Sequence, residues 1–287
     1  MTHATTSPPP NTVDAERDSS AVDSLLHPQA VLIRRLLTPS ERREIGGGLI
    51  LVDDSENIVQ AIRAGVTIRS VFHSSDTAVC ARVQQTLQPN VTIYTVLRRT
   101  CKKLFGNEKA SRIFAIAEKP SPQSLDVLPA TRRDIVVLDG IGIAGNIGAI
   151  IRTASAMGVG GIVIVNTDDL EIFDRRVIRA SRGYVFGLRV VKATVQELIQ
   201  LCTLNGMPLL ATIPRSGTPV SKISSLLGPL AIVCGGEKEG CSAALLEAAN
   251  LRVEIPMTRN AESLNVAAAA AITLYCRYPF NSGRLTL

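Results

Sequence analysis

The chain has 287 residues, of which 46% are hydrophobic and 20% charged, and this composition is typical of a globular protein with one large domain or two of ordinary size. No apolar run reaches the length of about 18 residues that a membrane span requires, and the first twenty residues lack the apolar segment of a signal peptide. We therefore expect a soluble, cytoplasmic protein with no membrane partner.

Positive charge is concentrated in the middle of the chain. The net charge is −3 over residues 1–24, +6 over residues 25–124 and +3 over residues 125–287. A basic module of this kind indicates a polyanionic partner such as RNA. A charged surface that only keeps the protein in solution would give the same net charge, so both interpretations stay open at this point.

The cysteines and histidines exclude several kinds of site. The six cysteines form no CxxC pair, and the closest two, Cys234 and Cys241, are separated by six residues, which is unlike a zinc ribbon or a disulfide framework. The last histidine is His73. A site in the C-terminal part must therefore work without imidazole, which excludes serine-triad and histidine–metal chemistry there, and we expect no metal cofactor.

The first 120 residues predict an arm followed by a small mixed domain. Residues 1–20 are rich in Ser, Thr and Pro without periodicity, so we expect a disordered arm. In residues 21–120, helical patterns occur in LLHPQAVLIRRLL, SENIVQAIRAG (with Ser55 as N-cap) and CKKLFGN, and strand patterns occur in GGLILVDD, TIRSVFHS, VTIYTV and SRIFAIAEK. Three prolines in KPSPQSLDVLPA indicate a linker, which we place at residues 121–130.

From residue 131 to 287 the pattern changes to short apolar strands that alternate with helices. The predicted strands are DIVVLDG, GIVIVNT, MPLLATI, LAIVCGG and RVEIP. The predicted helices are AGNIGAIIRTASAMG, a stretch near DRRVIRASRG, VQELIQLCTLNG, SAALLEAAN and SLNVAAAAAITLYCR. This alternation predicts an α/β domain whose parallel sheet is covered on both faces.

A glycine-rich turn follows the first of these strands. The segment from Gly140 to Gly145 reads GIGIAG and matches the dinucleotide-binding fingerprint literally, with Asp168 and Asp169 after the next strand. A dehydrogenase is therefore one hypothesis. The same glycines fit a generic tight turn between a strand and a helix, which is the favoured alternative.

Two more motifs lie at junctions of strands and helices. Glycines 235, 236 and 240 surround Glu237 and would let the backbone approach a ligand closely, although glycine is common in any turn of this type. Ser263 and Asn265 lie at the start of an alanine-rich helix, where free backbone N–H groups favour an anion. Taken alone, Ser263 is better interpreted as a helix cap.

Together the motifs carry a family resemblance. Asn146-Ile-Gly-Ala-Ile-Ile-Arg152-Thr, Gly236-Glu-Lys-Glu-Gly240, and Ile255-Pro-Met with Ser263-Leu-Asn-Val occur in that order. They resemble the three signature motifs of the SpoU-type ribose methyltransferases of the SPOUT superfamily, over residues 132–277. The stretch RASRGYVF from Arg179 makes the chain most similar to the thiostrepton- and nosiheptide-resistance methyltransferases. Gly236 departs from the family pattern, which usually has Asn or Ser there, so the contribution of that side chain is lost.

The resemblance implies a fold and a cofactor. The fold would be an α/β domain closed by a deep trefoil knot and dimerised through that domain, which would bring Arg152 and the cofactor pocket together across the interface. The alanine-rich stretch 267–271 would allow close packing of two chains, although small residues also suit a buried helix of a monomer. The methyl donor would be S-adenosylmethionine. Backbone of the knot loops would hold it at Thr212, Ile213, Gly235, Gly236, Ile255, Met257 and Leu264. Under this interpretation Gly140 and Gly142 only form a turn, and the dehydrogenase hypothesis is rejected.

The resemblance also implies a reaction, the methylation of a ribose 2′-hydroxyl, with Arg152 in the critical role. Arg152 would act either as a base with a strongly lowered pKa or as a clamp on the adjacent phosphate, and both roles stay open. Asn146, Glu237, Ser263 and Asn265 would shape the pocket by hydrogen bonds. Arg182 would contact RNA phosphate or the cofactor side.

The block before residue 121 is similar, more weakly, to a ribosomal-protein-like RNA-binding domain, through AIRAGVTIRSVF, VTIYTV and IFAIAEKP. Six cations lie within fifteen residues against one acid, Glu108. Such a cluster predicts salt-sensitive contact with phosphates, and the absence of Trp argues against base stacking on a sheet. The six cations are Arg98, Arg99, Lys102, Lys103, Lys109 and Arg112.

We therefore hypothesise an S-adenosylmethionine-dependent 2′-O-methyltransferase of large-subunit (23S) ribosomal RNA. Its target would be an adenosine in the thiostrepton-binding loop, so that methylation confers antibiotic resistance. A tRNA ribose methyltransferase and a non-catalytic RNA-binding assembly factor are the alternatives.

Overall fold

The computed structural model describes residues 20–38, 40–41, 48–106, 111–167 and 170–278. The predicted arm up to residue 19, together with Lys109, Asp168 and Asp169, lies outside the described residues. Among the helices of the described part, none is long and apolar enough to cross a membrane.

The first sheet has five strands in the described residues, in the order β1-β4-β3-β5-β2. Strand β5 runs antiparallel to β2 and β3, while β1, β3 and β4 are parallel to one another. The strands are β1 (Ala21–Val22), β2 (Leu49–Asp53), β3 (Ile68–Ser74), β4 (Thr92–Val96) and β5 (Ile113–Glu118). The helices are α1 (Pro28–Leu37), α2 (Ser55–Arg63), α3 (Ala81–Thr86) and α4 (Arg98–Phe105).

Strict alternation along β5 explains why helices cover both faces of this sheet. Ala115 and Ala117 belong to the core that α2 and α3 cover, whereas Phe114 and Ile116 belong to the core under α1 and α4. On the second face, the Phe114 and Phe72 rings stack with centroids 5.1 Å apart. The sequence therefore encodes a three-layer domain.

The predicted N-cap of α2 is wrong by one residue. Ser55 is already the first helical residue, and Asp54 is the cap, with a left-handed φ of 64°. The Asp54 N–H donates to the carbonyl of Ile113 (2.9 Å), and its carboxylate accepts from the Ser111 hydroxyl (3.2 Å) instead of capping the helix. Pairing with the neighbouring strand, rather than capping, thus fixes this turn.

The second sheet is entirely parallel over its described residues, in the order β10-β12-β9-β11-β6-β7-β8. The predicted α/β class is confirmed. The strands are β6 (Ile135–Asp139), β7 (Gly161–Val165), β8 (Val190–Lys192), β9 (Leu209–Thr212), β10 (Thr218–Pro219), β11 (Ala231–Gly235) and β12 (Leu251–Glu254). The helices are α5 (Ala144–Ala156), α6 (Arg175–Ala180), α7 (Val195–Leu204), α8 (Ala243–Ala248) and α9 (Val266–Arg277).

The two faces of this sheet have separate cores. Val136 and Leu138 of β6 pack in the core that also holds residues of α5, α6 and α9, and Ile135 and Val137 pack in the core that holds residues of α7 and α8. Leu128, inside the predicted linker, is fully buried in this second core. The boundary at residues 121–130 stays a prediction.

The two sheets meet at α6. Asp53, at the end of β2, accepts a hydrogen bond from the guanidinium of Arg175, and both residues are buried. On its other side α6 lies against α5, where Gly148 leaves no room for a side chain beside Ala180. Helix α6 therefore joins the basic first domain to the helix that carries Asn146 and Arg152.

Candidate active site

A cavity of about 400 Å³ lies beyond the carboxyl ends of β9, β11 and β12. In open parallel sheets ligands bind at this edge. The loops that follow the three strands form its walls, and the start of α9 closes it. All seven residues predicted to hold the cofactor line this cavity: Thr212, Ile213, Gly235, Gly236, Ile255, Met257 and Leu264.

A buried carboxylate stabilises the cavity wall that is formed by the loop after β11. Asp139, the last residue of β6, accepts from the Asn166 side-chain amide and from the Ser242 backbone N–H, each at 2.6 Å. The same wall is tight, because a Cβ on Gly235 would overlap the backbone of Gly240 and Cys241. Sequence reasoning missed Asp139, although an acid that ends a fully apolar strand was a usable signal.

Three polar side chains from the three motifs meet at the mouth of the cavity. The Asn146 amide donates to a carboxylate oxygen of Glu237, and the Asn265 amide donates to that same oxygen (3.2 Å) and to the Asn146 side-chain oxygen (3.2 Å). These side chains come from the start of α5, the loop after β11 and the residue before α9. The structure therefore brings together three of the five residues that the sequence proposed for catalysis.

Asn265 also caps a helix, a role that the sequence analysis gave to Ser263. Its side-chain oxygen accepts from the backbone N–H groups of Ala267 (3.0 Å) and Ala268 (3.3 Å), so Asn265 is the N-cap of α9. The interpretation of Ser263 as a helix cap is therefore wrong, because α9 begins only at Val266. Ser263 lines the cavity instead.

Arg152 lies apart from this cluster within one chain. It is exposed on α5, six residues after Asn146, which corresponds to about 9 Å along the helix and about 120° around it. Arg152 does not line the cavity.

The basic cluster of the first domain is largely on one helix. Thr100, Cys101, Leu104 and Phe105 of α4 are buried, which leaves Arg99 and Lys102 exposed on its outer face beside an open cavity of about 610 Å³. Arg98 is less available, because it forms an ion pair with Asp76. Lys103 and Arg112 are exposed as well.

Arg182 follows α6 on the surface of the second domain. It is exposed and has a left-handed φ of 54°. Neither Arg182 nor the cations of α4 lines the cavity beyond β11.

The chemistry available in the cavity is limited. Cys241 lies in its wall, but burial raises the pKa of the Cys241 thiol to about 12, so the thiol stays protonated and is a poor nucleophile. In the part of the chain that the structure describes, no three His, Cys, Asp or Glu side chains are grouped so that they could hold a metal ion. The lining combines loop backbone and apolar side chains with charged groups, namely Glu237, Lys238, Glu239, Glu254 and Glu262.

Two family models together match most of the chain. Residues 134–275 match the SpoU rRNA Methylase family, and residues 19–131 match the N terminus of thiostrepton-resistance methylases. The 23S rRNA (adenosine(1067)-2′-O)-methyltransferase of Streptomyces azureus is 33% identical over 261 residues, which cover 91% of this chain and 97% of the relative. The enzyme of the same name from Streptomyces laurentii is 35% identical over 236 residues, 82% of this chain and 87% of the relative.

Solved structures agree with the fold. An RNA 2′-O ribose methyltransferase superposes with a TM-score of 0.79 at 29% identity, covering 90% of this chain and 98% of its own. The SpoU methyltransferase AviRb of Streptomyces viridochromogenes, solved with S-adenosylmethionine, superposes with a TM-score of 0.71 at 24% identity over 85% of this chain and 94% of its own.

Proposed function

This chain belongs to the SpoU rRNA methylase family, and from that premise we propose that it methylates a ribose 2′-hydroxyl of 23S ribosomal RNA with S-adenosylmethionine as methyl donor. The two Streptomyces relatives act on an adenosine, and the first domain matches the thiostrepton-resistance model. The target is therefore an adenosine of the thiostrepton-binding loop, and its methylation confers resistance.

The single observation that carries the proposal is the meeting of Asn146, Glu237 and Asn265 at the mouth of the cavity beyond β11. Three motifs far apart in sequence converge there by hydrogen bonds. A generic turn or a helix cap alone would not require this convergence, whereas a shared ligand site does.

The cavity fits S-adenosylmethionine by its chemistry. Ile213, Ile255, Met257 and Leu264 supply apolar walls for an adenine ring, and the Glu237 carboxylate suits a positively charged group of the cofactor, its ammonium or its sulfonium. When bound, the cofactor supplies a methyl group on a sulfonium sulfur that needs no metal. The ribose 2′-hydroxyl would accept this methyl group and lose its proton to solvent.

Arg152 acts as a phosphate clamp in this proposal. It is exposed on α5, and a planar guanidinium binds phosphate oxygens in pairs. By holding the phosphate next to the reacting ribose, Arg152 fixes the 2′-oxygen in line with the methyl group, which lowers the barrier by orientation. To act instead as the base that takes the hydroxyl proton, an arginine would need burial that lowers its pKa, and Arg152 is not buried in one chain.

We propose a homodimer through α9 to bring Arg152 to the cavity. Ala268, Ile272 and Tyr275 follow one another at helical spacing on the exposed side of α9, and Tyr275 is 60% exposed. Leu264 continues this stripe at the cavity mouth, 36% exposed. An apolar stripe of this kind fits a second copy of the chain, and a trefoil knot formed by the cavity loops completes the proposed fold.

The experiment uses purified protein, labelled S-adenosylmethionine and unmodified bacterial total RNA separated by size. We expect label in 23S RNA, and loss of that label with Arg152→Ala. Lys222→Ala is the matched control, because Lys222 is an exposed cation of the same domain away from the cavity. Label confined to tRNA would overturn the proposed target, and RNA binding by a folded protein without any label would favour a non-catalytic binder.

A further inference from the structure

A second cavity, of about 460 Å³, lies at the opposite edge of the parallel sheet. It is bounded by the segment before β6, the end of α5 with the turn into β7, and the segment before β8. Because α5 runs back along the sheet, its first residues lie at the cofactor cavity and its last residues lie here. The proposed function assigns no role to this second cavity.

The lining of the second cavity is cationic. Arg133 and Arg189 contribute the charged side chains, and no Asp or Glu lines it. The neighbouring carboxylate of Asp134 is buried and already binds Arg277 (2.7 Å). Both lining arginines are exposed, and neither has an ion pair within the described residues. Their charge is therefore free to meet an anion.

The local backbone positions the two arginines. A Cβ on Gly160 would lie 3.1 Å from the Cβ of Arg133, and a Cβ on Gly161 would lie 3.1 Å from the Cβ of Arg189, so both stems pack against the chain entering β7. The Gly160 N–H already donates to the Asp134 carbonyl (2.8 Å). Side-chain donors, chiefly the two guanidinium groups, therefore remain for a ligand.

The second cavity borders the helix face that carries Arg152. Ser155 lines the cavity and follows Arg152 by three residues, which places the two side chains next to each other on α5, about 4.5 Å apart along its axis. Arg152 therefore lies about one helical turn from the residue of α5 that borders the two arginines of the second cavity. Successive phosphates of one RNA strand carry the negative charge that such neighbouring cations attract.

We propose that this second cavity binds a backbone phosphate of the substrate RNA, next to the nucleotide whose phosphate Arg152 holds. The proposal rests on the RNA methyltransferase function proposed above. Arg133 and Arg189 form charge-assisted hydrogen bonds to the phosphate oxygens and fix the register of the strand, so the site raises RNA affinity without reading a base.

The test compares Arg133→Gln, Arg189→Gln and the double variant with Lys222→Gln, using a 23S rRNA transcript that contains the position named in the Streptomyces azureus relative. We expect each single change to raise KM for the RNA about tenfold with little change in kcat. Each should also reduce the slope of log affinity against log salt by about 0.7 to 0.9. Because both side chains are exposed, unfolding temperature and S-adenosylmethionine binding should not change.

If the arginine variants still methylate the transcript with the salt slope and KM of Lys222→Gln, the second cavity does not bind RNA phosphate, and the proposed function is unaffected. An unmethylated transcript with wild-type protein would overturn the proposed function instead. A fall in kcat without a change in KM would also contradict the proposal, since it would place the two arginines in the chemical step.

Discussion

Gly148 lies where α5 packs on α6, and its replacement by alanine tests whether this contact holds the catalytic helix in place. A Cβ at position 148 would overlap the Ala180 side chain and would lie 2.8 Å from the Ser181 backbone nitrogen. Ordinary contacts between such atoms are about 3.5–4.0 Å. The obstructing atoms belong largely to the α6 backbone, so the two helices have to separate by about 1 Å.

The expected magnitude follows from two opposing effects. Overpacking a tight contact costs about 1–3 kcal/mol, while alanine in a helix is more favourable than glycine by about 0.5–1 kcal/mol. Gly148→Ala should therefore lower the free energy of unfolding by about 1 kcal/mol, within a range of about 0 to 2.5 kcal/mol. Because Asn146 is two residues earlier on α5, we expect methyl transfer to fall as well.

Gly145→Ala is the matched control on the same helix, since a Cβ there meets no atom within 4 Å. We expect Gly145→Ala to be as stable as the wild type or more stable by up to about 1 kcal/mol. Urea unfolding of both variants measures the difference. If Gly148→Ala proved as stable as Gly145→Ala, the reasoning that Gly148 is required for close helix packing would be refuted.

Three further predictions concern other parts of the molecule. Asp139→Ala should lower the free energy of unfolding by about 3 kcal/mol, because the Ser242 N–H and the Asn166 amide lose their buried acceptor. It should also weaken S-adenosylmethionine binding, measured by calorimetry. Unchanged binding would show that the loop after β11 keeps its shape without Asp139. Burial raises the pKa of Asp53 from 3.8 to about 6. The folded state therefore binds the Asp53 proton more tightly than the unfolded state does. Relative to Asp53→Asn, the wild type should lose on the order of 3 kcal/mol of unfolding free energy as pH rises from about 4 to about 6. A difference between the two proteins that does not change with pH would contradict this. Lys102→Gln should reduce the slope of log affinity for 23S RNA against log salt by about 0.7 to 0.9. A slope equal to that of the wild type would show that this exposed lysine does not contact RNA phosphate.

The sequence predicted the larger elements because hydrophobic periodicity is local. The alternation in β5 and the apolar runs of β6, β7, β9 and β11 identify their faces without any knowledge of partners. The two-residue strands β1 and β10 were missed, because so short a segment has no period. Helix α3 was missed as well, since a single buried residue, Val83, makes no stripe.

Motif order along the chain identified the family and the residues that line the cavity, since each motif lies at a junction the sequence itself predicts. Only the tertiary structure decided what those side chains touch. Asn146 and Asn265 are 119 residues apart and meet because the sheet places β11 next to β6 and packs α9 beside α5. The role of Asp139 in supporting the cavity wall likewise depends on contacts with residues far away in sequence, Asn166 and Ser242. Local propensity fixes where a strand or helix forms, but long-range burial of apolar faces fixes which of them become neighbours.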